Sequence, residues 1–317
     1  MAKKISIVIY GLSVINGKNE RVILNNIING NSLLDIIKKY AEDHTKKYMN
    51  DVSKETLFVF DEIQKNIIVN DEGQEEFEIL FGRVKTGEYG IESELVDIRT
   101  GDVYNKTKEQ ADMMPFGFCI AVPKGNVDRA VILLQTTGTY GMKVTLQKHL
   151  QKCLLKVDKN LKILFKTIAP KTYIDRYFEK GILQKIRLIR YEIPEDISNR
   201  IGINYGVKQT KEERIIHKPS GFLETNKMKI QEWKAGQRSY TKIIELDEFE
   251  YDDLKLEFKL GNNNKTFNLR DLDSLAVNED ITAEVTQVGG HPIFSSLTPI
   301  MQRIAREYLV DMGLIVE

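Results

Sequence analysis

Residues 115–135 read PFGFCIAVPKGNVDRAVILLQ, and this stretch decides the fold. Two nearly continuous apolar runs, 115–122 and 129–135, flank residues 123–126 (PKGN), whose residue types favour a tight turn. Apolar runs without alternation are typical of strands that are covered on both faces. The stretch therefore predicts a central hairpin in a sheet that is packed on both sides.

On the N-terminal side of this hairpin, the pattern predicts a strand, a helix and further strands. Residues 5–15 predict a buried first strand, since no small-x-small cleavage site follows the basic start at Lys3 and Lys4. Ser32 and Asp35 form a capping-box-like start to a helix. Further strands are predicted at 56–63 and between 77 and 98, with a hairpin turn at 99–102.

On the C-terminal side, secondary structure is predicted almost to the end of the chain. Residues 204–240 are strongly polar and form the best candidate for a linker or loop, although Phe222 and Trp233 indicate that parts of it dock. A final helix is predicted from Thr298-Pro299. The other elements are a helix at 140–156, a strand at 162–168, a helix from Pro170 to Phe178, a strand at 183–193 and a hairpin around 261–264.

These patterns predict an α+β protein with mixed, mainly antiparallel sheets, a few packing helices and a C-terminal helix. At 317 residues and 42% hydrophobic content the chain can form two domains. We expect an α+β domain with the central hairpin and a basic block at 1–200. Residues 201–317 would hold the polar linker or loop, a hairpin and the last helix.

Two features indicate a cytoplasmic protein without a membrane span. No uncharged apolar run approaches the ~20 residues that a membrane helix needs. Cys119 and Cys153 both lie in apolar segments, which predicts buried free thiols in a reducing compartment.

Charge is segregated along the chain although the formal net charge is zero. Residues 140–240 contain 22 Lys and Arg against 10 Asp and Glu, whereas residues 241–317 contain 7 against 15. A basic block of this kind favours a polyanionic partner. The acidic segment either folds against the basic block within the chain or pairs with it across a dimer.

The basic block contains a regular lysine pattern. Lys148, Lys152 and Lys156 recur every four residues, so on a helix they form one cationic stripe. An ordinary solvated face is the alternative interpretation. Further candidates share faces of later predicted strands, and the complete set for nucleic-acid binding is Lys148, Lys152, Lys156, Lys162, Lys166, Lys185 and Arg187.

No catalytic or cofactor signature occurs, and His44, His149, His217 and His291 lack metal-ligand spacing. The loop 138–141 could offer backbone N–H groups to a phosphate, but a plain turn is the preferred interpretation. One nuclease-like set remains, in which Asp247 or Asp253 would hold Mg²⁺ beside Glu257 and Lys259. We therefore expect no catalytic residues, no metal and no cofactor, with this set as the exception to test.

The segment 115–150, PFGFCIAVPKGNVDRAVILLQTTGTYGMKVTLQKHL, resembles the middle of the Rex exclusion sensor family of lambdoid phages. The order of elements is also similar, with an N-terminal strand, an early SLL-containing helix, hairpins, this segment and a helical C-terminus. The resemblance covers about half the chain by organisation. It implies a DNA-binding protein of phage defence or of a mobile element, and it carries over no functional residue.

The leading hypothesis is a non-enzymatic binding or sensing protein that contacts nucleic acid, DNA in preference to RNA, as a homodimer or other homo-oligomer. One alternative is a metal-dependent nuclease that uses Glu257 and Lys259. The other is a protein-interaction subunit of a larger complex, with a partner protein recognised through charge.

Overall fold

The computed structural model describes residues 3–191, 211–246, 249–261, 263–272, 275 and 277–316. The chain forms two compact units: unit 1 comprises Met1–Ile168 with Ala276–Glu317, and unit 2 comprises Ala169–Leu275. The sequence suggested a single boundary near residue 200. The units divide the chain differently because the C-terminal segment adds a strand and the last helix to unit 1.

Strands and helices are numbered in chain order. The strands are β1 Ile5–Ile15, β2 Met49–Asp51, β3 Thr56–Val69, β4 Glu75–Glu88, β5 Ser93–Val96, β6 Val103–Lys106, β7 Met114–Pro123, β8 Ala130–Thr137, β9 Tyr140–Gly141, β10 Lys162–Thr167, β11 Ile182–Arg190, β12 Glu212–His217, β13 Asp253–Leu260, β14 Asn263–Asn268, β15 Val277–Asp280, β16 Gln287–Val288 and β17 His291–Pro292. The helices are α1 Leu33–Asp43, α2 Lys143–Val157, α3 Lys171–Lys180, α4 Phe222–Thr225, α5 Lys227–Lys234 and α6 Phe294–Asp311.

Unit 1 is built on one antiparallel sheet with the strand order β10-β1-β8-β7-β4-β3-β2, in which β15 also pairs with β1 and β9 with β8. The predicted central hairpin is confirmed as β7 and β8, whose register runs from Phe118 opposite Leu134 to Ala121 opposite Val131. Nearly every residue of both strands is buried. The predicted α+β class with mainly antiparallel sheets and a C-terminal helix is likewise confirmed.

Helices cover both faces of this sheet, which explains the continuous apolar runs. Alternate residues of β7 point to opposite faces. Phe116 and Phe118 belong to a core that also contains buried residues of α1 and α2. Gly117 lies on the other face, where a Cβ atom would come within 2.3 Å of Leu297 of α6.

Helix α6 begins at Phe294, four residues before the predicted start, and contains Pro299. The prediction was displaced because proline usually marks the first turn of a helix. The helix gains one turn before Pro299 because Leu297 in that turn is buried against β7. Ile300, Ile304 and Tyr308, which are four residues apart, form a buried stripe on one side of this helix.

Unit 2 contains a four-stranded antiparallel sheet with the order β12-β11-β13-β14. Helix α3 ends at Lys180 and contributes Tyr173, Tyr177 and Phe178 to an aromatic cluster with Phe258 and Phe267 of this sheet. Ring centroids in this cluster lie 5.0 to 6.5 Å apart, in the range of favourable aromatic pairs. The cluster forms part of the hydrophobic core of unit 2.

The polar segment predicted as a linker or loop is largely ordered. Residues 211–240 include β12, α4 and α5, and Ile230 of α5 is buried. The segment is polar because Ile230 is the one buried residue of these three short elements, all of whose residues the structure describes. Residues 204–210 of the predicted linker lie outside the described residues.

Close packing at Gly82 of β4 gives a test of the unit 1 core. The ring of Phe118, its cross-strand partner, lies where a Cβ atom of residue 82 would stand, at 2.2 Å. We expect Gly82→Ala to lower the free energy of unfolding by about 1–3 kcal/mol, measured by urea denaturation, because the buried ring cannot move freely.

Two control variants define this experiment. Gly17→Ala should change stability by less than about 0.5 kcal/mol, because the added atom would meet Asn160 at an ordinary 3.4 Å. Combining Gly82→Ala with Phe118→Leu should recover part of the loss relative to the sum of the single changes. Additive effects would contradict a direct clash between these two residues.

Candidate nucleic-acid interface

Helix α2 presents the predicted lysine stripe to solvent. Leu146, Leu150, Cys153 and Leu154 are buried on its inner side. Gln151 fixes the helix against strand β10, because its side-chain amide accepts a hydrogen bond from the Ile163 N–H (2.9 Å) and donates one to the Leu161 carbonyl (2.8 Å). With these contacts set, the stripe of Lys148, Lys152 and Lys156 lies on the outer side.

The three lysines of the stripe have different surroundings. Lys148 donates a hydrogen bond to the carboxylate of Asp51 at the end of β2. The ammonium of Lys156 lies 4.8 Å from the ring centre of Tyr40, in cation–π geometry. Lys152 is exposed and forms no hydrogen bond or ion pair with the described residues. Positive charge at Lys152 and Lys156 thus remains available to an anion.

The positive charge of the stripe lowers the pKa of two titratable groups beside it. The hydrogen bond from Lys148 lowers the pKa of Asp51 to about 2, and the charge of Lys152 adds to this effect. Burial lowers the pKa of His149 to about 4, and the charges of Lys152 and Lys148 lower it further. The His149 ring stacks on Phe58 with 4.2 Å between ring centres. Asp51 therefore stays ionised and His149 stays neutral near pH 7.

Lys162 and Lys166 of β10 are exposed, but they do not extend the α2 stripe. The register pairs Ile163 with Val14 and Phe165 with Leu12. Leu12, Val14 and Ile163 belong to the core beneath α1 and α2, and Phe165 packs against this core. Because side chains alternate along a strand, Lys162 and Lys166 point to the opposite face of the sheet. The sequence-based set is therefore divided between two faces within unit 1.

Lys185 and Arg187 lie in unit 2 and share a strand face, as predicted. Acidic residues lie beside them, since Glu257 forms ion pairs with Lys185 at 3.0 Å and with Arg187 at 3.1 Å. Glu213 lies 3.3 Å from the same arginine. The acidic part of the sequence thus folds against the basic block within the chain at this point, and these two cations are already paired.

The nuclease-like residues are used in ion pairs and hydrogen bonds. Glu257 and Lys259 do share one face of β13, but both Glu257 oxygens contact Lys185 or Arg187. Asp253 is buried and accepts a hydrogen bond from the Tyr191 hydroxyl at 2.7 Å. Asp247 lies outside the described residues. Within the described ranges, no three His, Cys, Asp or Glu side chains are grouped as metal ligands.

The remaining sequence candidates have structural explanations. Cys119 and Cys153 are confirmed as buried free thiols, and burial raises the pKa of Cys153 to about 12. The Gly138 N–H, considered as a phosphate donor, binds the Lys4 carbonyl at 2.8 Å. Residues 138–139 therefore form a tight turn between β8 and β9, and residues 140–141 pair with β8 as strand β9.

One feature of unit 2 escaped the sequence prediction. Helices α3 and α5 border a cavity of about 620 Å³ that is lined by Lys171, Phe178, Lys227 and other residues. The available signal was the spacing of Lys227, Ile230, Gln231 and Lys234 at helical intervals. It was obscured because this stretch was interpreted as a polar linker.

No protein-family model matches the chain, and no curated protein sequence matches it significantly. The resemblance to the Rex exclusion sensor family stays a prediction. Among the described residues, no helix is long and apolar enough to cross a membrane.

His149 predicts a pH dependence of stability. Its pKa falls from an ordinary 6.5 to about 4 on folding, so the unfolded chain takes up the proton first as the pH decreases. The contribution of neutral His149 to the free energy of unfolding is fully present above about pH 6.5. It falls by on the order of 3 kcal/mol as the pH decreases toward 4. Urea denaturation between pH 7 and 4.5 measures it.

A His149 variant distinguishes the titration of His149 from that of the carboxylates. His149→Gln should flatten the slope of unfolding free energy in that window, whereas His217→Gln, at an exposed position, should leave it unchanged. Asp51 stops contributing to stability only at lower pH, between its ordinary pKa of 3.8 and its pKa of about 2 in the folded protein. An unchanged slope in His149→Gln would show that His149 does not titrate as described.

Proposed function

We propose that this protein is a non-enzymatic nucleic-acid-binding protein that contacts DNA through the outer face of α2. The observation that carries the proposal is the stripe of three lysines opposed by one nearby carboxylate, with Lys152 and Lys156 free of ion pairs within the described residues.

A cationic stripe of this kind favours a polyanion over a compact anion. Residues four apart on a helix lie about 6 Å apart along its axis, so the charges extend over about 12 Å. A nucleic-acid backbone can contact several such charges at once and release the counterions condensed on it. Like-charge repulsion within the stripe, which destabilises the free helix slightly, would be relieved in the complex.

The biological setting of the proposal comes from the sequence resemblance. Similarity of residues 115–150 to the Rex exclusion sensor family supports a role in phage defence or in a mobile element, and it supports DNA as the nucleic acid. The mainly structural roles of Glu257 and Asp253 favour a binding protein over the metal-dependent nuclease.

The stripe can be tested with the double variant Lys152→Gln/Lys156→Gln. Wild-type affinity for duplex DNA should fall steeply between 50 and 200 mM salt, and the double variant should reduce the slope of log affinity against log salt by about two. Fluorescence anisotropy with labelled duplex DNA and RNA measures both quantities.

A matched control is Lys162→Gln/Lys166→Gln on β10, which also removes two exposed charges from unit 1, on the opposite face of the sheet. It should leave affinity and salt slope nearly unchanged. Equal losses in both double variants would show that only total charge matters. Salt-insensitive binding, or no binding at low salt, would overturn the proposal for α2.

Self-association is the second part of the proposed function, and the hairpin β5–β6 supports it. Leu95 pairs with Tyr104 and Val96 with Val103, so apolar pairs occupy both faces of the hairpin. All four side chains are exposed, and Ile98 is 98% exposed. Exposed apolar surface of this extent is typical of protein interfaces.

Charge indicates what this hairpin contacts. Residues 88–112 contain three Lys and Arg against seven Asp and Glu, so a basic surface of a second copy is the complementary partner. We expect wild-type protein to dimerise in a concentration-dependent way and Leu95→Ser/Ile98→Ser to remain monomeric in sedimentation velocity. If both proteins sediment alike, the hairpin is not the contact.

A further inference from the structure

The groove between α3 and α5 in unit 2 has the dimensions and lining of a small-molecule site. Its volume of about 620 Å³ lies within the usual range for ligand pockets. Phe178, Leu223, Ile230 and Ala235 contribute apolar surface. The polar lining consists of Lys171, Asp175, Glu179, Lys227, Gln231 and Lys234.

A second cavity of about 440 Å³ adjoins the groove. Lys171, Asp175 and Lys234 line both cavities. Lys234 forms an ion pair of 2.5 Å with Asp175, and its ammonium lies 4.3 Å from the ring centre of Phe178. Because this ion pair satisfies both partners, it joins the two helices and contributes no net charge to the groove. Trp233 lines the second cavity.

The remaining charged groups of the first cavity determine what it can bind. Lys171, Lys227 and Glu179 form no hydrogen bond or ion pair within the part of the chain that the structure describes. Two ammonium groups and one carboxylate therefore face a partly apolar cavity. Two lysines suit a phosphate or other multiply charged anion, to which each can donate a charge-assisted hydrogen bond.

The other lining residues select among anions. An inorganic anion would leave the surfaces of Phe178, Leu223 and Ile230 uncovered, whereas a flat ring would cover them. Glu179 accepts hydrogen bonds from amino or hydroxyl groups, and the Gln231 amide both accepts and donates them. A phosphate, a ring and polar ring edges or hydroxyls occur together in a nucleotide.

We propose that the groove between α3 and α5 binds a nucleotide, with its phosphate at Lys171 and Lys227 and its base against Phe178, Leu223 and Ile230. The nucleotide is either a free mononucleotide or one unit of a single-stranded nucleic acid. The site belongs to unit 2 and does not depend on DNA binding by α2.

Trp233 provides a reporter, since it is the only tryptophan of the chain and its ring centre lies 6.2 Å from that of Phe178. The experiment titrates the full chain with AMP, GMP, CMP and UMP, with adenosine, with inorganic phosphate and with a short single-stranded oligonucleotide. Tryptophan emission reports on the site and calorimetry measures affinity. At least one nucleoside monophosphate should give a saturable change, and adenosine and phosphate should each bind at least about tenfold more weakly.

Variants test the assigned lysines. Lys171→Gln/Lys227→Gln should weaken nucleotide binding at least about tenfold, because charge-assisted hydrogen bonds are lost. Lys180→Gln/Lys259→Gln, which removes two exposed charges of unit 2 outside the groove, should retain wild-type affinity. Circular dichroism and thermal unfolding check that both variants fold. Lys152→Gln/Lys156→Gln should bind nucleotides normally, which separates this site from the α2 face.

Each other outcome has a definite meaning. Tighter binding of the oligonucleotide than of every mononucleotide would identify a single strand as the source of the nucleotide. Phosphate binding as tight as nucleotide binding would reduce the groove to a simple anion site and overturn the proposal. No binding of any nucleotide by calorimetry, or equal affinity of the groove variant and wild type, would also overturn it.

Discussion

Strand β1 must satisfy its backbone hydrogen bonds along both edges because its side chains are buried on both faces. One edge pairs with β8 from Ile5 to Leu12. The other pairs with β15 from Ser6 to Ile9 and with β10 from Tyr10 to Ile15. Three segments that are distant in sequence therefore meet on one strand. This requirement brings residues 277–280 into unit 1 and places β10, and hence α2, at the edge of the sheet.

The folded chain reduces the charge segregation that the sequence shows. Unit 2 contains 20 Lys and Arg against 18 Asp and Glu, although it includes most of the basic block. Cross-strand neighbours account for part of this balance, as at Glu257 between Lys185 and Arg187. The net charge of residues 140–240 therefore overstated the positive charge that Lys185 and Arg187 present on strand β11. The α2 stripe retains most of its positive charge because, among the residues that the structure describes, only Asp51 forms an ion pair with it.

Local periodicity was sufficient to predict most elements but not their faces. The apolar runs at 115–122 and 129–135 predicted a covered central hairpin, and spacing of four predicted the stripe of α2. The face occupied by Lys162 and Lys166 depends on the register with β1, which pairs residues about 150 positions apart. Composition also misled at 211–240, where short elements bury few residues. The groove residues there, including Lys227, acquire a shared environment only through contacts with α3.

The two proposed sites follow from different ways of placing lysine on a helix. On α2 the lysines project from the side opposite a continuous apolar stripe, so they meet solvent and suit an extended polyanion. Helices α3 and α5 are short and leave a cavity between them, and Lys171 and Lys227 border this cavity. A concave site excludes most of a long duplex but can enclose one nucleotide, whereas an open helix face cannot enclose a small ligand. The shape around the lysines, more than their number, therefore determines which anion each site can hold.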